Sequence, residues 1–532
     1  MATTIERPVA APVVDVPDSF NIADYLVDRH VREGRGGRTA ILCGDESVTY
    51  AEVAERSNRV ANGLRQLGLR REERVLLLLL DTPAFAYAFF GALKLGAVPV
   101  PTNTLLKSQD YRYMLNDSRA RVAIVSEALL PQLESIPRHD LPYLENIVVD
   151  GAGGSETSGL DRLMAALPSF EVVPTSKDDV AFWLYSSGST GFPKGAVHLH
   201  HDILYTVVCY AQGVLGVTAA DRTFSVAKLF FAYGLGNALT FPFAVGATTI
   251  LWPGPPTPPN VFAQIERFKP TLFYSVPTNY GQLLAHKRDG ADFDLSSVRQ
   301  AVSAGEALPK ALYERFKERF GVEILDGIGS TEILHIFISN RAGRVRPGSS
   351  GELVPGYEAR IVDEAGADVP DGTVGDLLIK GDSTCAYYWN KHERTKETIQ
   401  GHWIRTGDKF SRDANGYYWY AGRGDDMLKV GGIWVSPVEI ENTMVEHPAV
   451  QEAGVIGRRD ADGLVKPMAY VVLAAEYVAS PELGRELQDF VRSKIAEYKR
   501  PRWIEFVDTL PKTATGKTQR FKLRESAASQ PA

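Results

Sequence analysis

YSSGSTGFPKGAVHLH, residues 185 to 200, sets three serines, a threonine and three glycines around one lysine, with strand-like sequence on either side. Such a loop is too flexible and too polar for a core. Gly188, Gly191 and Gly195 admit backbone conformations closed to other residues, so that successive N–H groups can converge on an anion. Ser186, Ser187, Ser189 and Thr190 add hydroxyl donors, and Lys194 adds a mobile positive charge. Phosphate is the guest that suits this set. The pattern G-x-x-x-x-G-K-[ST] fits the stretch in no register, which disfavours a P-loop kinase or GTPase. A solvated Gly/Ser turn is the bland alternative.

Outward from the loop, strand-like runs alternate with helical ones. RVLLLLL precedes PAFAYAFFGALKLG, ARVAIVS precedes EALLPQLESI, and ATTILW precedes NVFAQIERF. The alternation predicts βα units and largely parallel sheets. WPGPPTPPN, residues 252 to 260, reads as a rigid proline-rich loop inside this region. From about residue 350 the texture changes to short antiparallel strands with tight turns, as in GELVPGYEARIVD, GDLLIKGDS and GYYWYAGRGDDMLKVGG. The remainder alternates helix and strand on its own pattern: PVEIENTMVEHP, AGVIG, PMAYVVLA, ELGRELQDFVRSKIAEY, WIEFVD. The fold class expected is therefore α/β. A large N-terminal domain of βα-layered sheets with a small β-barrel-like part, residues 1–424, is followed by a small mobile α+β domain, residues 425–532.

Composition sets limits. A chain of 532 residues exceeds what one hydrophobic core serves. A net charge of −7 argues against nucleic acid or a polybasic membrane role, so anions must be held by local sites. Cys43, Cys209 and Cys385 have neither metal spacing nor a disulfide framework, which fits a reducing cytoplasm. The N-terminal stretch lacks the charged and apolar regions of a signal peptide. The apolar run from residue 75 to 101 is broken by Asp81, Pro83 and Lys94, so a strand and a buried helix explain it better than a membrane span. HLHHD, residues 198 to 202, puts His198 and His200 on one face of a strand, but no further ligands complete a metal set; a strand end with a capping residue is the preferred reading.

Four more stretches join the opening loop: SAGEALP (303–309), DGIGSTE (326–332), TGD (406–408) with AGRGDDMLKVGG (421–432), and PKTATGK (511–517). In this order and at these separations they resemble the adenylate-forming superfamily of acyl-CoA synthetases, luciferases and peptide-synthetase adenylation domains, over about residues 40 to 525. FFAYGLGN (230–237), STEILHIFISN (330–340) and KVGGIWVSPVEIE (429–441) are similar to benzoate-CoA ligases and their aryl relatives.

The resemblance implies a chemistry. A carboxylate attacks the α-phosphorus of ATP to form an acyl adenylate, and CoA then displaces AMP. Lys517 matches the family's adenylation lysine, and Glu332 matches the residue that holds Mg²⁺ on the phosphates, with Thr190 nearby. Asp408 matches the acceptor of both ribose hydroxyls, and Arg423 donates to the same sugar. Gly305, Glu306 and Ala307 pass along the adenine, and Asp326 sits near its amino group. Ser186 to Gly191, Lys194, Gly327, Ile328, Gly329, Ser330 and Thr331 complete the nucleotide set. Ile328 departs from the family, which carries an aromatic residue there. For CoA transfer the small domain rotates about a hinge matched by Asp425, Gly431 and Gly432 come round to flank the thiol path, and Arg500 matches a CoA phosphate contact.

The acid is read from the same match. Amino-acid-activating relatives carry an aspartate where this chain has Ala232, so a free α-amino acid is disfavoured. Phe231 replaces a histidine frequent in acyl and aryl ligases. Phe231, Ala232, Tyr233 and Gly234, with Gly327, Leu334 and His335, would line a small apolar slot for a planar ring. His335 either orients the carboxylate or fills space. The function expected is a benzoate-CoA ligase. Open alternatives are a ligase for a hydroxybenzoate or aminobenzoate, a stand-alone adenylating enzyme that loads a carrier protein, and a non-catalytic nucleotide-binding homologue. The expected partners are an aryl carboxylic acid, ATP and CoA, with a homodimer and a lysine acetyltransferase acting on Lys517 also carried as expectations; nucleic acid and a membrane span are not expected.

Overall fold

Apolar strand runs followed at short range by helices build two parallel sheets. The computed structural model describes residues 11–151, 157–188, 191–424, 426–430, 433–460, 464–512 and 518–528. In it, the run from residue 74 to 101 becomes strand Arg74–Leu78, helix Pro83–Lys94 and strand Val98–Pro101. Pro83 takes the first helical position, where its missing N–H is no loss. Every residue of that helix is buried, which is why it reads apolar all round. The five-stranded sheet runs Val98–Pro101, Arg74–Leu78, Val122–Ser126, Asn146–Asp150, Ser158–Gly159, parallel throughout.

The second sheet has nine strands. Its parallel centre runs Ile324–Gly329, Gln300–Ser303, Leu272–Ser275, Arg222–Ser225, Thr248–Ile250 and Thr39–Cys43, with antiparallel strands added at both edges. The carboxyl ends of parallel strands are where sheets of this kind bind ligands. DGIG of the motif DGIGSTE lies at such an end, and SAGE at another.

The opening stretch is more regular than a free loop. Val180–Gly188 and Gly191–Leu199 form an antiparallel ladder in which Ser186 faces Lys194 and Gly188 faces Gly191, and Tyr387–Tyr388 adds a third strand. The ladder continues into the stretch because extended pairing satisfies N–H and C=O groups that a loop would leave to water. Ser189 and Thr190 lie outside the described residues.

The antiparallel texture after residue 350 is borne out by strands Glu358–Val362, Gly375–Lys380, Ile399–Gln400, Trp403–Arg412 and Tyr418–Arg423 in one sheet. Beyond it, Val450–Arg459, Val465–Leu473 and Trp503–Phe506 form a small sheet with helices Pro437–Val445, Pro481–Lys494 and Arg520–Ala528. This piece has cores of its own. One gathers Leu428, Ile440, Val455, Val471 and Leu487, and another gathers Ile456, Met468 and Leu523. The fold is thus α/β with a large N-terminal and a small C-terminal domain, as read from the sequence.

Candidate active site

Glu332 is where the separate motifs meet. It lies in the short turn Thr331–Ile333, just past the strand Ile324–Gly329. Its Oε1 accepts from Ser186 Oγ at 3.1 Å and from Tyr388 Oη at 2.7 Å. Its carbonyl accepts from Cys385 N at 2.7 Å. Burial pushes the carboxyl up, but the Tyr388 hydroxyl, the Lys194 charge and the Ser186 hydroxyl outweigh it and hold Glu332 below the usual carboxylate range. Glu332 therefore stays ionised. Lys194 extends from the neighbouring strand with its Nζ 4.6 Å from the centre of the Tyr388 ring. Burial lowers its pKa, and Glu332 opposes that.

The turn is fixed from behind. His198 Nε2 lies 2.8 Å from the Thr331 carbonyl, which requires Nε2–H to donate, and its Nδ1 lies 2.8 Å from Asp202 Oδ2. The same carboxylate oxygen accepts from Leu199 N at 3.1 Å, so Asp202 caps the helix His200–Thr206. The expected strand end with a capping residue is thus present. His200, however, begins the helix instead of sharing a strand face with His198, and its Nδ1 accepts from Ile22 N at 3.2 Å. Among the described residues no group of three or more His, Cys, Asp or Glu could hold a metal ion.

A second cluster stands around the turn SAGE. Gly305 has φ +92°, a conformation that only glycine adopts without strain. Glu306 accepts from Thr278 Oγ1 at 3.1 and 3.2 Å, and Lys512 Nζ lies 3.5 Å from the same hydroxyl. Lys512 also pairs with Glu452 at 3.0 Å. Lys512 of the final motif PKTATGK thus sits beside SAGE; residues 513–517 of the motif, including Lys517, lie outside the described residues. Asp326 pairs in register with Ser303 and is buried, and its Oδ2 accepts from Leu308 N at 3.4 Å. Burial raises its pKa well above the ordinary value.

Asp408 and Arg423 face each other across adjacent antiparallel strands, with Arg423 Nη1 3.3 Å from Asp408 Oδ1. Gly407, at φ +79°, makes the bend that brings the arginine over it. The pairing of these two motifs, fifteen residues apart in the chain, follows from the hairpin register.

The residues expected to line the acid slot are packed among rings. The short helix Ala232–Leu235 puts Tyr233 Oη on the Val302 and Ser275 carbonyls, at 3.1 and 3.3 Å. His335 is buried, and its Nε2 lies 3.3 Å from the Tyr233 carbonyl. Its ring packs against Phe241, Tyr210 and Tyr233, with centroids at 4.4, 5.3 and 5.6 Å. Burial pushes its imidazole down to about 3, so it is neutral at ordinary pH. Its Nδ1 is buried with no hydrogen-bond partner among the described residues. Leu334, beside it, has φ +70°, costly for a side chain with a Cβ and typical of functional sites. Close approach explains three glycines: a Cβ would lie 2.8 Å from the Ile338 carbonyl oxygen at Gly327, 2.6 Å from the His335 carbonyl oxygen at Gly329, and 2.1 Å from the Lys228 carbonyl oxygen at Gly234.

The motif residues expected to bind nucleotide thus fall, where they are described, into three groups: Ser186 with Glu332, Glu306 with Thr278 and Lys512, and Asp408 with Arg423. Arg500 is not among them: it sits in the small domain with Nε 3.4 Å from Glu497. Asp425, Gly431 and Gly432 lie outside the described residues, as do Ser189, Thr190 and Lys517. Sequence reasoning missed Tyr388, Thr278 and Lys512. Tyr388 stands in the aromatic run AYYWN, whose only signal is strand propensity.

The chain belongs to the AMP-binding enzyme family. The family model matches residues 27–389, and the model of the AMP-binding enzyme C-terminal domain matches residues 439–517. Among its relatives, a benzoate–CoA ligase of Thauera aromatica is 51% identical over 518 residues, 97% of this chain and 98% of that one. A benzoate CoA ligase structure from Burkholderia xenovorans LB400 is 50% identical with a TM-score of 0.88, covering 95% of this chain and 100% of that one. The crystal structure of an anthranilate CoA ligase with anthranoyl-AMP is 49% identical with a TM-score of 0.93, covering 96% and 98%.

Proposed function

We infer that this chain is an AMP-forming aryl-CoA ligase whose acid is benzoate: benzoate, ATP and CoA give benzoyl-CoA, AMP and pyrophosphate. The observation that carries the reading is the acyl wall. Ala232, Tyr233, Leu334 and neutral His335 present rings and apolar atoms, and none of the four carries a charge to meet a substrate amine, a few residues from the carboxylate of Glu332.

In the first step a benzoate oxygen attacks the α-phosphorus, and the bond to pyrophosphate breaks. Two anions must meet, so positive charge and donors have to be in place beforehand. Lys194 and Ser186, with Lys517, Ser187 and Thr190 by their place in the motifs, serve that end. Asp408 accepts from the ribose hydroxyls, and the SAGE turn lies along the base. Glu332 suits Mg²⁺, which takes one or two carboxylates together with substrate phosphates, and Tyr388 and Ser186 keep that carboxylate ionised and aimed. When bound, Mg²⁺ would neutralise phosphate charge. In the second step the CoA thiolate attacks the adenylate carbonyl, and AMP leaves.

We place the domain boundary at residues 424 and 425, where the apolar cores part. Rotation about Asp425 would exchange Lys517 for Gly431 and Gly432 between the two steps, and Arg500 would then meet a CoA phosphate. A homodimer and acetylation of Lys517 belong to the same reading; sedimentation tests the first, and mass spectrometry after an acetyltransferase treatment tests the second. An aminobenzoate is the second acid favoured, because the relative that shares 49% identity holds anthranoyl-AMP. The experiment is turnover of benzoate labelled with ¹⁸O in its carboxylate: one label in AMP supports attack on the α-phosphorus, and unlabelled AMP refutes it.

A further inference from the structure

Asp81 and Lys228 play no part in the chemistry above, yet both are ionisable groups drawn into the interior beside the acyl wall. Asp81 is 4% exposed and lies just past the strand Arg74–Leu78. Its Oδ1 accepts from Leu229 N at 3.2 Å, and its Oδ2 is 3.9 Å from Lys228 Nζ. Lys228 Nζ donates to the carbonyls of Trp252 and Gly254, at 2.6 and 3.0 Å. Three segments are thereby tied at one point: the carboxyl end of a strand in the first sheet, the connection between Arg222–Ser225 and the helix Ala232–Leu235, and the proline-rich loop from Trp252, which is shorter than the sequence suggested because Pro258 opens the helix Pro258–Phe268.

The connection sets the acyl wall directly. The Lys228 carbonyl accepts from Phe231 N at 3.0 Å, and that carbonyl is so close to Gly234 that a Cβ there would lie 2.1 Å from it. A shift of Lys228 must therefore move Phe231, Ala232 and Tyr233 together. Removing an ammonium and a carboxylate from water costs several kcal/mol per ion, and apolar residues of the same size often hold a fold as well, so such a pair is weak evidence of a role in stability. Burial raises the Asp81 carboxyl to about 6, opposed by Lys228 and the Leu229 N–H, and it lowers Lys228, opposed by Asp81. What the pair does supply is direction, because the fork of contacts fixes one place for the connection.

We propose that Asp81 and Lys228 are positioning residues for the acid substrate: together they hold the connection 226–231 so that the slot formed by Ala232 and Tyr233 keeps the width of one aromatic ring. The proposal rests on the aryl-acid reading and adds to it a source of selectivity. Among the described residues neither side chain has a partner in the cluster around Glu332, so the effect should fall on the acid and spare ATP.

The test uses the full-length enzyme with Asp81→Asn, Lys228→Met and Lys228→Arg. Asparagine still accepts from Leu229 N and removes only the charge; methionine keeps the length of the stem and removes the ammonium. For both, KM for benzoate should rise tenfold or more, the ratio of kcat/KM for benzoate to that for 4-hydroxybenzoate should change at least fivefold, and KM for ATP should stay within twofold. Lys228→Arg should restore most of the loss. The double variant should be no worse than the worse single one, since the two act as a unit. An unchanged KM for benzoate in Asp81→Asn overturns the proposal, and so does a parallel loss for every acid and for ATP with a lowered melting temperature, which would make the pair structural. If Lys228→Met does not fold, Asp81→Asn decides alone. Wild-type enzyme that ignores aromatic acids would instead sink the aryl reading, and the pair would then be judged on whichever acid is used.

Discussion

Tyr388→Phe isolates one hydroxyl at the centre of the site. Phenylalanine keeps the ring beneath Lys194 and removes only the donor that reaches Glu332 at 2.7 Å. A hydrogen bond to a charged group is worth about 1.5–3 kcal/mol. At about 1.36 kcal/mol per pKa unit, its loss should raise the Glu332 pKa by about one to two units, leaving Ser186 and Lys194 to resist burial. Glu332 is held below its ordinary range, so in the wild type it remains ionised well into acid; in the variant it takes up a proton at higher pH. The assay is benzoate-dependent exchange of pyrophosphate into ATP from pH 5 to 8.5. The acid limb should move up by about one to two units, the plateau should fall about 10-fold, and thioester formation from supplied benzoyl-AMP should change little. An acid limb that does not move, or a Glu332→Gln variant with wild-type exchange, would refute the placement of Glu332 at the phosphates.

Lys517→Ala should slow adenylation by on the order of 100-fold, the scale of one preorganised charge partner, and largely spare thioester formation from benzoyl-AMP; equal losses in both half-reactions would make the lysine structural. Ala232→Phe should cripple benzoate turnover while KM for ATP stays within twofold if buried Ala232 lines the acid slot as proposed; equal losses for both substrates would remove it from that slot. Burial holds the imidazole of His200 down to about 4, against 6.5 when unfolded, so the stability it allows is present above pH 6.5 and is lost as pH falls toward 4, by about 1.4 kcal/mol per unit in that window. In His200→Gln the fall in stability between pH 6.5 and 4.5, read from urea titrations, should be shallower by that slope; an identical slope would mean that the histidine is already protonated in the native state.

Much of the large domain was legible because its strands and helices differ in apolar period. RVLLLLL and PAFAYAFFGALKLG could only be buried, and their order dictated a parallel sheet. The order of five turn motifs was also legible, since glycine and small polar residues recur in each of them. What was not legible depends on register and distance. The strand pairing that carries Ser186 opposite Lys194 was read as loop, because glycine and serine favour turns locally and only the ladder overrides them. Tyr388 could not be found, since nothing in AYYWN says that one of its two tyrosines faces a carboxylate fifty-six residues earlier. The contact of Lys512 with Thr278 joins positions 234 residues apart and depends on how the small domain sits. His335 was left between two roles. The structure ties its Nε2 to the Tyr233 carbonyl and leaves it neutral, which makes it a wall of the slot more than a charge for the carboxylate.

The central claim is that aromatic acids are activated through an acyl adenylate and passed to CoA. It is tested most directly by kcat/KM for benzoate, 4-hydroxybenzoate, cyclohexanecarboxylate, acetate and palmitate, measured as CoA-dependent AMP release under saturating ATP and CoA. A slot of this kind separates neighbours differing by one methylene by only about 1–3 kcal/mol, so close benzoate analogues should be turned over too. Benzoate should lead the five, with benzoyl-AMP accumulating when CoA is left out and converting to benzoyl-CoA when it is added; acetate or palmitate ahead of benzoate would contradict the account.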